Sequence, residues 1–180
     1  MAMTLITKNT PSGASVSTFN SSIDNTYKLY IFKYYDINPG TDQVSFTFQV
    51  NATDTTGYDR PMTTTAFQAF HNEDTETDTV SLGYNTGEDQ DNDDAAEQIL
   101  AGLIGNGGDE SAAGTLWLFN PSNTTYVKHF YATTNFYRYV DRTNNSFFGG
   151  YINDTTAIDD VRFTVSSGVF DGVIEMYGVG

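Results

Sequence analysis

VRFTVSSGVFDGVIEMYG, residues Val161–Gly178, is the stretch that decides the fold class of this chain. Apolar and polar residues alternate up to the turn Ser166-Ser167-Gly168, which is the period-2 pattern of a half-buried strand. The alternation resumes after the turn, so the pattern predicts a second strand that folds back on the first as a hairpin. The predicted core residues of this hairpin are Phe163, Val165, Ile174 and Met176.

Short alternating strands and polar turns continue along the rest of the chain. Tyr27–Ile37 is dense in aromatic and β-branched residues, with a bulge expected near Tyr35. Asn38-Pro39-Gly40 predicts a turn that joins this strand to Val44–Val50 as a long hairpin. We predict a single all-β domain over residues 1–180, an antiparallel jelly-roll-like β-sandwich of about eight to ten strands. Residues 1–26 are predicted to form a strand and loop arm suited to contact a neighbouring subunit.

One segment predicts a short α-helix, the sequence DDAAEQILAGLI at Asp93–Ile104. Ile99 and Leu103, with Leu100 beside them, would form its buried stripe, and Gly105 would end it. Asp93 and Asp94 stand where an N-cap and the positive end of the helix dipole favour carboxylates.

The composition excludes several classes of function. The chain carries 23 acidic and 8 basic residues, a net charge of −15, which would repel nucleic acid and anionic membranes. It has no cysteine, so disulfide, thiolate and zinc-thiolate chemistry are excluded. The N-terminus lacks the pattern of a signal peptide, and no apolar run is long enough to cross a bilayer. We expect a protein made in the cytoplasm without classical secretion.

An acidic segment offers a candidate metal site. Asn72–Asp94 holds nine of the 23 acidic residues, and its Asp89, Asp91 and Asp93 have the D-x-D-x-D opening of a calcium loop. Asp94 replaces the glycine of an EF-hand and Leu100 replaces its bidentate glutamate. A non-EF-hand calcium site therefore stands beside the simpler interpretation, a solvated loop.

Catalytic motifs give no comparable signal. The chain has two histidines, no G-x-S-x-G, no H-E-x-x-H, no P-loop and no Rossmann glycine pattern. A glycosidase needs two carboxylates, and nothing in the sequence selects a pair. We predict no catalytic residues.

Aromatic residues exceed what one core strand can bury in Tyr126–Tyr139, YVKHFYATTNFYRY. Surface tyrosines and phenylalanines there would serve a subunit contact or stack on sugar rings, and we favour subunit contact. The predicted interface residues are Tyr126, Tyr131, Phe136, Tyr137, Tyr139 and Tyr177.

Four segments together resemble small virion-surface proteins of marine tailed bacteriophages: TLITKNT, FNSSIDNTYKLYIFKYYDINPGTD, LFNPSNTTYVKHF and SSGVFDGVIEMYG. The resemblance implies a β-sandwich, often trimeric, on the head or tail exterior, and brings no catalytic residues. It implies a non-enzymatic homo-oligomeric structural protein that contacts capsid or tail proteins, in the first place a capsid decoration or cement protein. The alternatives are a tail-tip or fibre adhesin for host glycan, with or without calcium, and, more remotely, a polysaccharide depolymerase.

Overall fold

The computed structural model describes residues 2–74, 79–93 and 96–180, and these are all β, with 61% of them in strands. Within these residues there are thirteen strands and no helix. The strands are β1 Met3–Asn9, β2 Val16–Phe19, β3 Leu29–Pro39, β4 Val44–Ala52, β5 Met62–Asn72, β6 Val80–Tyr84, β7 Asp91–Asp93, β8 Gln98–Ile104, β9 Ala112–Phe119, β10 Lys128–Arg138, β11 Arg142–Ile152, β12 Ile158–Val165 and β13 Phe170–Val179.

Nine strands form a nearly closed, antiparallel, barrel-like sheet in the order β1-β13-β3-β9-β10-β8-β4-β12-β2. β10 and β8 meet through one residue pair, Arg138 with Ile104. At the open seam the Asn9 side chain of β1 donates to Ser17 Oγ and to the Thr18 carbonyl of β2, both at 3.1 Å. Two side-chain hydrogen bonds therefore join β1 to β2 at the seam, where a closed barrel would have backbone hydrogen bonds between the two strands.

An extension branches from β10. β11 pairs with β10 along its whole length, and β5 pairs with β11 over eleven residue pairs from Met62↔Ile152 to Asn72↔Arg142. β6 and β7 pair with the outer edge of β5. A large sheet, β1-β13-β3-β9-β10-β11-β5, thus faces a smaller row, β8-β4-β12-β2.

The hydrophobic core lies between these two rows. Phe163 of β12 is fully buried and contacts Phe32 of β3 and Phe46 of β4, with ring centroids 5.5 Å and 5.7 Å apart. The four predicted core residues of the terminal segment are buried as predicted, with relative exposures of 0% for Phe163, 8% for Val165, 0% for Ile174 and 0% for Met176.

The predicted hairpins, however, are wrong. β12 pairs with β4 and β2, whereas β13 pairs with β3 and β1, so the turn at Ser166–Val169 crosses from one row to the other. β3 and β4 are separated in the same way. The physical reason is that strands with one apolar face bury it best face to face across a core, and a short polar turn permits that geometry as readily as a hairpin.

The predicted helix is also wrong. Gln98–Ile104 is strand β8, Asp91–Asp93 is β7, and Asp94 and Ala95 lie outside the described residues. Of the predicted stripe, Leu100 is fully buried, whereas Ile99 and Leu103 are only partly buried, and Ile104 is fully buried as well. β8 fills the space between β4 and β10, and this packing outweighs a helix preference already weakened by an internal glycine, which costs about 1 kcal/mol.

The bulge expected near Tyr35 is confirmed. The register of β3 shifts between Tyr34 and Ile37 against β9 and between Tyr35 and Asn38 against β13, and Asp36 has φ 55°. Gly172 of β13 lies against this bulge with φ 149°, and a Cβ there would be 2.7 Å from Ile37 Cδ1. The glycine is therefore required by a close approach of two backbones.

Candidate interface and polar cleft

The outer side of the large sheet carries a row of apolar side chains. In antiparallel pairs, residues directly opposite each other share a face. Register places Tyr131 opposite Trp117, Trp117 opposite Ile31, Ile31 opposite Tyr177 and Tyr177 opposite Leu5. Leu116 and Leu118 on either side of Trp117 are fully buried, so this row points away from the core. We call Leu5, Ile31, Trp117, Phe119, Tyr131 and Tyr177 the aromatic face.

Rings on the aromatic face are preorganised by contact with each other. The Trp117 and Tyr131 rings are stacked, with centroids 4.5 Å apart and planes at 22°. The Phe119 ring is 5.6 Å from Tyr131. Tyr131 stays 43% exposed and Leu5 49% exposed, so a large ring and an aliphatic side chain remain open to solvent. Such surfaces are typical of the centre of a protein interface.

Charges of both signs lie beside this face although the chain as a whole is acidic. The neighbouring row contains Lys8, Lys33 and Glu175, two ammonium groups and one carboxylate. The Glu175 carboxylate accepts hydrogen bonds from Tyr177 at 2.7 Å and Tyr35 at 3.2 Å, and lies 3.4 Å from the Lys8 ammonium. These contacts, the Tyr177 hydrogen bond first, lower the pKa of Glu175. Contact between copies at this face therefore brings basic as well as acidic groups together.

Predicted interface residues fall into three groups. Tyr131 and Tyr177 lie on the aromatic face, and Tyr126 is 69% exposed beside it, over a cavity of about 610 Å³ that Phe119 also lines. Tyr137 and Tyr139 lie toward the far end of β10, where the Tyr137 hydroxyl donates to Glu73 at 2.8 Å.

Phe136 is 1% exposed and belongs to the core, so its prediction as an interface residue is wrong. It faces inward because β10 alternates strictly about the core. Sequence reasoning also missed Trp117. The signal was present in the sequence, since Trp117 stands between Leu116 and Leu118 in LWLF, a short apolar segment whose pattern predicts a strand.

The predicted calcium ligands are placed as follows. Asp89 accepts a hydrogen bond from the Tyr84 hydroxyl at 2.6 Å, and Asp91 is exposed and pairs through its backbone with Thr63 of β5. The side chain of Asp93 lies outside what the structure describes. Among the described residues, no group of three or more histidine, aspartate or glutamate side chains is close enough to hold a metal ion. Calcium binding by Asp89, Asp91 and Asp93 stays a prediction.

A carboxylate with several polar partners lies on the outer side of the smaller row. The Glu97 carboxylate accepts hydrogen bonds from the hydroxyls of Thr47 and Thr164 and pairs with the Arg162 guanidinium at 2.5 Å. That guanidinium also lies 4.4 Å from the centre of the Tyr58 ring. The Glu97 carboxylate and the Arg162 guanidinium pair with each other. We interpret this cluster as structural, because it joins β4 and β12 to the residue that precedes β8.

A polar cleft of about 470 Å³ beside β8 differs from that cluster. Its polar lining comprises Ser45, Gln68, Asn85, Glu88 and Arg138. Burial raises the pKa of Glu88, against a hydrogen bond from Asn85 and the charge of Arg138, which lower it. Glu88 Oε2 and Arg138 Nε are both buried without a hydrogen-bond partner in the part of the chain that the structure describes.

Comparison of this chain with protein-family models, with curated proteins and with solved structures finds no match. The described residues also contain no helix long and apolar enough to cross a membrane.

Proposed function

We propose that this chain is a non-enzymatic structural protein that assembles with copies of itself through its aromatic face. We further propose that it does so on the exterior of a tailed-phage virion, as a capsid decoration or cement protein. The observation that carries the assembly is the stacked Trp117–Tyr131 pair, which stays open to solvent on an uncovered sheet face. The virion location rests on the resemblance of the four sequence segments.

The aromatic face has the size of an interface centre. Its residues come from five strands, about 24 Å across, and from two rows of outward side chains, about 13 Å, which gives about 300 Å² at ordinary strand spacing. A standard protein interface buries about 800 Å² on each partner, so the outward side chains around the aromatic face must supply the rest. Trp, Tyr and Phe are the residues enriched at the centres of such interfaces, and no cluster of carboxylates interrupts this one. A trimer is the oligomer that the resemblance suggests.

The order of the strand pairs relates this sheet to the jelly roll. Three antiparallel pairs are nested along the chain: β3 with β13, β4 with β12 and β5 with β11. Nested pairing is what results when one long hairpin rolls into two layers, the construction of a jelly roll. We propose that the barrel-like sheet is a relative of the jelly roll with additional strands.

Mass measurement by analytical ultracentrifugation over a concentration series, together with co-sedimentation with phage particles, tests this proposal. We expect an oligomer that binds assembled heads. Tyr131→Ala and Tyr177→Ala should keep the fold and weaken assembly, because each removes a ring from the aromatic face. Tyr84→Ala is the matched control, since Tyr84 on β6 is 57% exposed but lies outside that face. A monomer without affinity for heads or tails, or release of reducing ends from host polysaccharide, would contradict the proposal.

A further inference from the structure

The polar cleft beside β8 has the features of a small-ligand site. It lies where β8, the Arg138 end of β10 and the connection between β6 and β7 meet. Its volume of about 470 Å³ is within the range of small-molecule sites. Ile99 and Leu103 provide an apolar wall opposite the hydrogen-bonding groups.

Two groups of opposite charge share this cleft without pairing. No ion pair or hydrogen bond joins Glu88 to Arg138 in the described part of the chain, and each has a buried atom without a partner, Glu88 Oε2 and Arg138 Nε. Buried polar atoms almost always have partners, and an unpartnered one calls for an explanation such as a bound ligand. The Glu97 and Arg162 groups nearby form an ion pair directly, and although Arg162 Nε is also buried without a hydrogen-bond partner, the unpartnered carboxyl oxygen is found only in the cleft of these two places.

Neighbouring residues hold the cleft open. A Cβ on Gly102 would collide with Glu88 Oε1 and lie 3.1 Å from Glu88 Cδ, so the glycine makes room for the carboxyl group. Asn144 donates to Gln68 Oε1 at 2.8 Å, which fixes the Gln68 amide with its NH₂ group available as a donor. Leu103 has φ 60°, an uncommon value for leucine of the kind that clusters at ligand sites.

We propose that this cleft binds one pyranose ring of a neutral glycan, with adjacent ring hydroxyls bonded to Glu88 and Arg138. A hydroxyl both donates and accepts, so neighbouring hydroxyls satisfy the carboxyl oxygen and the guanidinium N–H together. The Ser45 hydroxyl and the Gln68 and Asn85 amides supply further hydrogen bonds, and the ring C–H groups pack on Ile99 and Leu103.

Charged ligands fit the cleft less well. An anion would meet the Glu88 carboxyl group in the field of a chain of net charge −15, and a cation would meet Arg138. Burial raises the pKa of Glu88, which weakens its attraction for an ammonium group and suits a hydrogen bond to a hydroxyl. A neutral ligand with many hydroxyls uses the whole lining.

The cleft is separate from the aromatic face. Arg138 is seven residues from Tyr131 along β10, about 23 Å at ordinary strand rise. The odd separation also places the two side chains on opposite faces of the sheet. Sugar binding and assembly can therefore occur together, and each can fail without the other.

Titration by NMR with methyl glucoside, methyl galactoside, methyl mannoside and N-acetylglucosamine tests the proposal. We expect at least one of these sugars to shift the Ile99 and Leu103 methyl signals with an affinity of about millimolar. Glu88→Gln and Arg138→Gln should each weaken that binding by about tenfold or more. Gly102→Ala should do the same without removing a contact group, because its methyl displaces the Glu88 carboxyl.

Tyr131→Ala is the control and should bind the sugar as the unmodified chain does. The titration follows shifts in the intact chain, so it stays decisive if one cleft variant does not fold. The proposal is overturned if none of the four sugars shifts the two methyl signals. It is equally overturned if binding survives all three cleft substitutions, or if the sugar perturbs Trp117 instead.

Discussion

Removal of the Phe163 ring should lower the free energy of unfolding strongly, since this ring contacts strands of both rows. It is fully buried in β12 and lies between 5.5 Å and 6.5 Å from five other rings. Those rings are Phe19, Phe32, Tyr34, Phe46 and Phe48, from β2, β3 and β4. Phe163→Ala therefore removes the shared partner of an aromatic cluster.

A truncation of phenylalanine to alanine in a core costs about 3–5 kcal/mol, and more when the cavity cannot collapse. The Phe163 cavity would be walled by rings held in separate strands, and the Phe46 ring stacks on Phe163 at 11°. We therefore expect about 4–5 kcal/mol here. In a chain of this length that loss lowers the melting temperature by about 10–15 °C.

Urea unfolding followed by far-ultraviolet circular dichroism and by Trp117 fluorescence measures this loss of free energy. Phe67→Ala is the matched control, because Phe67 is 46% exposed and stacks on Phe147 alone among rings of the described residues, at 4.7 Å. Its truncation should cost about 1 kcal/mol. If Phe163→Ala lowers the free energy of unfolding by less than about 1 kcal/mol, or by no more than Phe67→Ala does, the Phe163 ring does not hold the two rows together.

Three further changes test the fold at other points. Asp36→Gly should raise the free energy of unfolding by about 1 kcal/mol in thermal melts, since Asp36 is exposed at φ 55°; Asp36→Ala should give no gain. Ile174→Asp should give no folded protein by circular dichroism, because it buries an unpaired charge, and a folded soluble product would contradict the assignment. Burial raises the pKa of Asp154, but hydrogen bonds from Arg60 at 2.8 Å and from the Thr156 N–H at 2.7 Å lower it more. A lowered carboxyl pKa stabilises the fold above about pH 4, and this stabilisation is lost as the pH falls through the folded pKa. Asp154→Asn should therefore flatten acid unfolding curves below pH 4, and an unchanged slope would count against the pair.

Local pattern was enough to predict which side chains are buried in the strands. Phe163 of β12 and Ile174 of β13 alternate with less buried residues, and their burial follows directly from a period of two. β4 departs from this pattern, because its polar residues are buried together with Phe46 and Phe48. The local pattern did not predict which strands pair with each other. The choice between a hairpin and a turn that crosses to the other row depends on where that row lies. That information is spread over residues more than a hundred positions apart.

The β8 segment shows where local preference fails. Gln98 is fully buried, accepts a hydrogen bond from Thr64 at 2.8 Å and donates to the Glu88 carbonyl at 2.9 Å. These two partners come from β5 and from the connection after β6. They are near Gln98 only in the folded sheet, so the helix propensity of the local sequence could not predict this strand. The cleft was missed for the same reason, since Glu88 and Arg138 are fifty positions apart.

Trp117 offers the most direct measurement of assembly through the aromatic face, since it is the only tryptophan of the chain and lies in the middle of that face. Its emission and its quenching by acrylamide can be followed from dilute to concentrated protein. Assembly through the aromatic face predicts a blue shift and weaker quenching as the oligomer forms, both reduced in Tyr131→Ala. An oligomer in which Trp117 keeps the emission and quenching of the dilute protein would contradict the account.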